Sequence, residues 1–168
     1  MIDEIDKQRI LTKITLIGLA MNVIIPVTIL VVAALMNRNA VAEAGGIHWE
    51  DHPGVKTLFY VFLVIAAADF VAAIIIRRRL PAGIVEAGGK TPLERFENSA
   101  VRLSIIMYSL NASHAFYGLA LYILGADIEV LILFAALSMI GYQLLRPRSG
   151  YLDQLWKRFD PAAAGPGP

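Results

Sequence analysis

Cysteine is absent from the 168 residues of the chain, which excludes disulfides, thiolate metal sites and thiol nucleophiles. Charge is scarce as well: Asp, Glu, Lys and Arg make up 17% of the chain, against about 25% in a soluble domain. Apolar residues reach 57% and the mean hydropathy is +0.62. A chain this poor in charge and this rich in hydrocarbon takes lipid as its solvent, so a soluble enzyme domain, a disordered chain and a disulfide scaffold are all excluded. The net charge of +1 gives no global attraction to nucleic acid. The sequence also lacks a phosphate-binding glycine loop and a Ser/His/Asp nucleophile set.

What is present falls into four apolar blocks, about 14–36, 57–76, 103–124 and 128–145. Each approaches the roughly 20 residues that a helix needs to cross a bilayer core. They predict an all-α fold, a four-helix transmembrane bundle forming one membrane domain over 1–160. The first block is longer than the roughly 7 to 15 apolar residues of a signal-peptide core, so it reads as an uncleaved span. The tail 161–168, PAAAGPGP, has nothing to bury and is expected to be disordered.

Orientation follows from the basic residues. Thirteen of the 15 fall before the first block, between the second and third, or after the fourth; only Arg38 and Lys56 fall on the other side. Basic loops stay in the cytoplasm, which places both termini there and the protein in the inner (cytoplasmic) membrane as a multi-pass chain. Local signals agree with these boundaries. Thr91, Pro92 and Glu94 read as N-cap, N1 and N3 of a capping box, and Gly125 with Asp127 reads as a helix end followed by the next N-cap. Behind the fourth block, Tyr151, Leu152, Leu155, Trp156 and Phe159 recur at helical spacing beside Lys157 and Arg158. This stripe predicts an amphipathic helix over about 150–160 lying at the inner leaflet, with docking onto a cytoplasmic partner as the alternative.

Each block carries a polar side chain eight or nine residues from its inner basic boundary: Asn22, Asp69, Asn111 and Ser138. A helix rises 1.5 Å per residue, so all four sit roughly 12 to 14 Å above that boundary, in one layer. His114 lies one turn above Asn111. Small neighbours around Asp69 (Ala66, Ala72, Ala73) and the Gly18 and Pro26 flanking Asn22 suit close helix packing, so the layer is expected to face inward. Pro26 also deprives the Asn22 carbonyl of its helical donor and is expected to kink the first span. A carboxylate at a helix centre costs about 2.5 to 3.5 kcal/mol on insertion scales, and His114 is the one intramembrane candidate for a positive partner to Asp69.

The outer segment His48, Trp49, Glu50, Asp51, His52 sets two imidazoles four apart, a weak metal candidate. It is not the metalloprotease order, and Pro53 with the preceding Gly45 and Gly46 leaves little room for a helix there. A solvated loop with Trp49 at the interface is the simpler reading. Asn111-Ala112-Ser113 matches a glycosylation sequon but lies inside a span. His114 alone cannot supply both axial ligands of a haem within one chain, so no cofactor is expected.

The stretch Ala115 to Leu119, AFYGL, followed by ALYILG, resembles the outer helix of the proton-translocating proteolipid ring subunits of rotary ATP synthases. The resemblance covers about ten to fifteen residues. It implies an ion-carrying carboxylate five residues before the Tyr, where this chain has Ala112, and a glycine-repeat inner helix that it lacks, so rotor chemistry is not carried over. The whole pattern is similar to that of small four-span bacterial membrane proteins. The function expected is a non-enzymatic subunit or scaffold of a membrane assembly, bounded by the lipid bilayer and by copies of itself or other membrane subunits, with no nucleic-acid partner. The alternatives are a proton or ion conduit using Asp69 and His114, and a lipid or hydrophobic-ligand binding protein. An enzyme would have to work on a lipid-soluble substrate at the same layer.

Overall fold

The computed structural model describes residues 3–40, 52–79 and 88–159, and among these every regular element is a helix. Helix α1 (Glu4–Leu19), a π turn (Ala20–Ile24) and α2 (Ile25–Ala40) follow one another as a single rod. They are followed by α3 (Pro53–Arg79), α4 (Pro92–Ile123), α5 (Ile128–Leu145) and α6 (Ser149–Phe159). The tail 161–168 and His48 lie outside the described residues, and His52 stands exposed just ahead of α3.

Among the described residues three helical stretches are long and apolar enough to cross a membrane: Glu4–Met36, Pro53–Arg78 and Ile128–Leu145. The third expected block lies inside α4, which falls short on composition. The reason is chemical: α4 carries Ser104, Tyr108, Ser109, Asn111, Ser113, His114 and Tyr117 in its central turns. It is also the helix the others surround, with α5, α3 and α1 packed on it and its buried residues running from Phe96 to Leu121. Neighbouring helices, rather than its own apolar content, shield Ser104, Tyr108, Asn111 and His114, while Ser109 stays exposed.

The ends of α4 are set by local chemistry. At its start Thr91 Oγ1 accepts from the Glu94 N–H at 3.1 Å, while the Glu94 carboxylate accepts from the N–H groups of Lys90 (2.8 Å) and Thr91 (3.4 Å). Pro92 at N1 lacks only an N–H that the helix could not use. At the far end Gly125 takes φ +101°, and the N–H groups of Gly125 and Ala126 turn back to the carbonyls of Tyr122 and Leu121. This Schellman closure lets α5 return antiparallel within a few residues. Asp127 holds the N-cap position of α5 but makes no side-chain cap bond.

Two apolar clusters result. The larger joins Ile10 and Ile14 of α1 to Phe96, Leu103, Met107 and Tyr108 of α4, Leu145 of α5, and Leu152 and Leu155 of α6. The smaller joins Ala66 of α3 to Leu121, Val130 and Phe134 near the α4–α5 turn. The α6 helix, expected as an amphipathic helix at the inner leaflet, turns part of its apolar face onto protein. Leu152 and Leu155 are buried against protein, and Phe96 meets Trp156 edge-on at 4.9 Å and Phe159 at 5.6 Å. Lys7 pairs with Asp153 at 2.8 Å, so α6 is fastened to α1 as well. The periodicity identified which face is apolar, and the N-terminal turns of α1 and α4 offer that face a protein surface.

Candidate functional site: a polar layer and a lipid-side groove

Between the two apolar clusters lies a set of polar side chains, and its first member depends on a proline. Pro26 has no N–H for the Asn22 carbonyl four residues back. The rod responds with the π turn, in which the Ile25 N–H reaches the Ala20 carbonyl five residues back. Asn22 sits in this widened turn, fully buried, with its Nδ2 donating to the Gly18 carbonyl at 3.2 Å. Its Oδ1 is thereby left for α4 and α5.

Asn111 of α4 uses that oxygen. Its Nδ2 donates to Asn22 Oδ1 at 2.7 Å and to the Ser138 carbonyl at 2.6 Å, while Ser138 Oγ lies 3.4 Å from Asn22 Oδ1. All three residues are buried, and one amide therefore ties together the first rod, α4 and α5. Gly141 makes the approach feasible, since a Cβ there would fall on the Asn111 side-chain amide.

Asp69 does not join this cluster, although the four residues were expected together in one inward-facing layer. It is half-buried on α3, and its Oδ2 accepts from Tyr117 Oη at 2.8 Å and from Ser113 Oγ at 3.0 Å. Ser113 Oγ also reaches the Leu110 carbonyl at 2.6 Å, so its single proton serves one acceptor at a time. The Tyr117 ring stacks on Phe62 of α3 at 5.1 Å, which holds the phenol in place. Ser113 and Tyr117 were not singled out from the sequence. Their spacing of four places them on one face of α4, which was the available signal.

His114 belongs to neither cluster. It is 3% exposed, and neither ring nitrogen has a hydrogen-bond partner of good geometry among the described residues. The polar groups that act on it are the Asp69 carboxyl and the Ala66 carbonyl. It lines a groove of about 260 Å³ between α3 and α5 whose other walls are Leu63, Ala66, Ala67, Phe70, Leu137, Ile140, Gly141 and Leu144. Leu63, Ile140 and Leu144 are also exposed on the flank of the bundle, so the groove opens sideways.

Among the described residues the arrangement offers hydrogen bonds between helices and one buried imidazole in an apolar groove; the three polar groupings are distinct. No protein family matches the chain, nor does any curated protein or solved structure.

Proposed function

We propose that the chain is a four-span, non-enzymatic subunit or scaffold of a membrane assembly, with α4 as its fourth span and both termini in the cytoplasm. The fully buried Asn22–Asn111–Ser138 cluster acts as a clasp that fixes the register of three spans. The contact face for the next subunit is the outer side of α3. The observation that carries this reading is the placement of Asp69. Among the described residues only its Oδ2 is hydrogen-bonded, and the apolar stretch of its helix is 11% buried, against 44% for α5. A carboxyl at membrane depth with an unengaged oxygen is costly toward lipid and favourable toward a polar group of another helix. Beside it Ala68 is exposed and Ala72 half-exposed, four residues apart, a pairing that lets a second helix approach closely.

A proton or ion conduit through Asp69 and His114 is the weaker reading. The cavity that reaches His114 has apolar walls and opens sideways, whereas a conduit needs wet access from both membrane faces.

The chain has no cysteine of its own, so Ala68→Cys gives a single thiol. Oxidation in native membranes is expected to produce a crosslink to a second copy or to another membrane protein. Ile106→Cys, on the exposed side of α4, is expected to give none. A folded Ala68→Cys protein that forms no crosslinked species overturns the reading.

A further inference from the structure

The groove between α3 and α5 points to a role beyond assembly. A neutral imidazole carries one donor and one acceptor, and leaving either unpaired in an apolar surrounding is costly. Among the described residues neither His114 nitrogen has a hydrogen-bond partner of good geometry, the Ala66 carbonyl being the one backbone group that acts on the ring, and at 3% exposure it lines a groove otherwise walled by hydrocarbon. Native proteins seldom retain such a group without a use for it. From the groove we infer that the protein binds a neutral, lipid-soluble molecule whose carbonyl or hydroxyl oxygen hydrogen-bonds to His114, its head seated between Ala66, Phe70 and Gly141 and its tail leaving between Leu63 and Ile140.

Three observations define the ligand. The mouth is formed by side chains exposed on the flank of the bundle, Leu63, Ile140 and Leu144, so the ligand enters from the bilayer. The volume of about 260 Å³ suits a single substituted ring. A cavity of about 150 Å³ already holds benzene, so a substituted ring fits. The groove lining contains no Asp, Glu, Lys or Arg, and the one carboxyl that acts on the His114 ring is Asp69, which disfavours an anionic head and lies outside the lining. A neutral oxygen on a ring-sized head therefore matches better than a fatty acid or an ammonium. Quinones and phenols with an alkyl or isoprenoid tail have this form.

The test uses the full chain in lipid nanodiscs and two probes, decylbenzoquinone and decylbenzene, which share the tail and differ in the oxygens. Saturable binding of the quinone is expected, about tenfold tighter than that of decylbenzene, as one hydrogen bond in a dry site provides. His114→Leu is expected to bring the quinone down to the decylbenzene level. Ile140→Trp, which fills the mouth and leaves His114 in place, is expected to abolish binding of both probes with thermal stability retained. This second variant keeps the test informative if His114→Leu folds poorly. Equal affinity for the two probes, undiminished quinone binding in His114→Leu or in Ile140→Trp, or no saturable quinone binding at all, overturns the inference. These outcomes are independent of the Ala68→Cys crosslink, so ligand site and assembly face fail or stand separately.

Discussion

Asn111 donates to Asn22 at 2.7 Å across 89 positions of chain, and the same amide nitrogen reaches the backbone of α5 at Ser138. Apolar contact between spans has little driving force in lipid, because the tails are as apolar as leucine. Helix association then rests on packing and on hydrogen bonds such as this one. The clasp has the further property of being directional: a slip of α4 by one residue along α1 would turn the amide away from the π turn.

Removing the clasp from either side should therefore cost a similar, non-additive amount. Asn111→Ala and Asn22→Ala are each expected to destabilise the bundle by about 1 to 2 kcal/mol. The double variant should cost less than the two together, since the second loss has no partner left to strand. Unfolding in mixed detergent micelles measures all four proteins, and strictly additive losses would remove Asn22–Asn111 as an energetic pair.

Gly141 tests the packing that permits the clasp. A Cβ at this position meets the Asn111 side chain, whereas at Gly54 of α3 it meets nothing within 4 Å. Gly141→Ala is expected to lose about 1 to 3 kcal/mol by overpacking. Gly54→Ala is expected to be neutral or to gain up to about 1 kcal/mol from helix propensity. A thermal midpoint for Gly141→Ala equal to that of the parent would show that the groove wall yields freely.

Much of the fold could be read from the sequence because its causes are local. The capping box at Thr91 and Glu94 and the turn at Gly125 involve residues within a few positions of one another, and hydropathy marks the helices between them. The height of Asn22, Asn111 and Ser138 was also readable, since rise per residue is nearly constant. Rotation about the helix axis was not. Asp69 shares their height but sits at a different azimuth, facing Ser113 and Tyr117, and counting from a basic boundary carries no information about azimuth. The same limit applies to α6, where the stripe of Leu152 and Leu155 marks an apolar face without saying whether lipid or Phe96 covers it. Three of the five candidate residues meet in one cluster. Asp69 stands apart because α3 meets α4 at Ser113 and Tyr117, whereas the first rod meets it at Asn111.

Docking of α6 can be followed through Trp156. In a Trp49→Phe background its emission reports the contact with Phe96 at 4.9 Å alone. Phe96→Ala is expected to shift that emission to the red as α6 loses its seat, with the spans intact by circular dichroism. An unshifted spectrum would mean that Leu152 and Leu155 hold the helix without the aromatic cluster.

The Lys7–Asp153 pair adds a pH dependence to the same contact. The Asp153 carboxylate raises the Lys7 ammonium above its ordinary value of 10.5. A group raised in the folded state contributes fully below its unfolded value and loses that contribution as pH climbs through the folded one. The α6 contact is thus expected to hold through neutral pH and to loosen only above pH 10.5. Lys7→Met removes the ammonium, so the difference between parent and variant Trp156 emission isolates its titration from that of the tyrosines. A parent–variant difference that vanished well below pH 10.5 would rule out the ammonium as its source.

Asp69 separates the assembly reading from the conduit reading most directly. Its Oδ2 accepts from two hydroxyls, and an asparagine in its place keeps one oxygen able to do so. Asp69→Asn is therefore expected to leave stability nearly unchanged. Asp69→Leu strands the Tyr117 hydroxyl, whose partner at 2.8 Å is gone, and is expected to cost about 1 to 2 kcal/mol. Ser113 suffers less, because it can return its proton to the Leu110 carbonyl. A conduit reverses the ranking of the two variants, since an amide cannot exchange a proton and would abolish transport in a bundle that still folds. Proton flux into liposomes is expected to be at background for the parent and unchanged by Asp69→Asn. Flux in the parent that disappears in Asp69→Asn would replace the scaffold by a transporter, and the Asp69–Tyr117 bond would then be a step of the path.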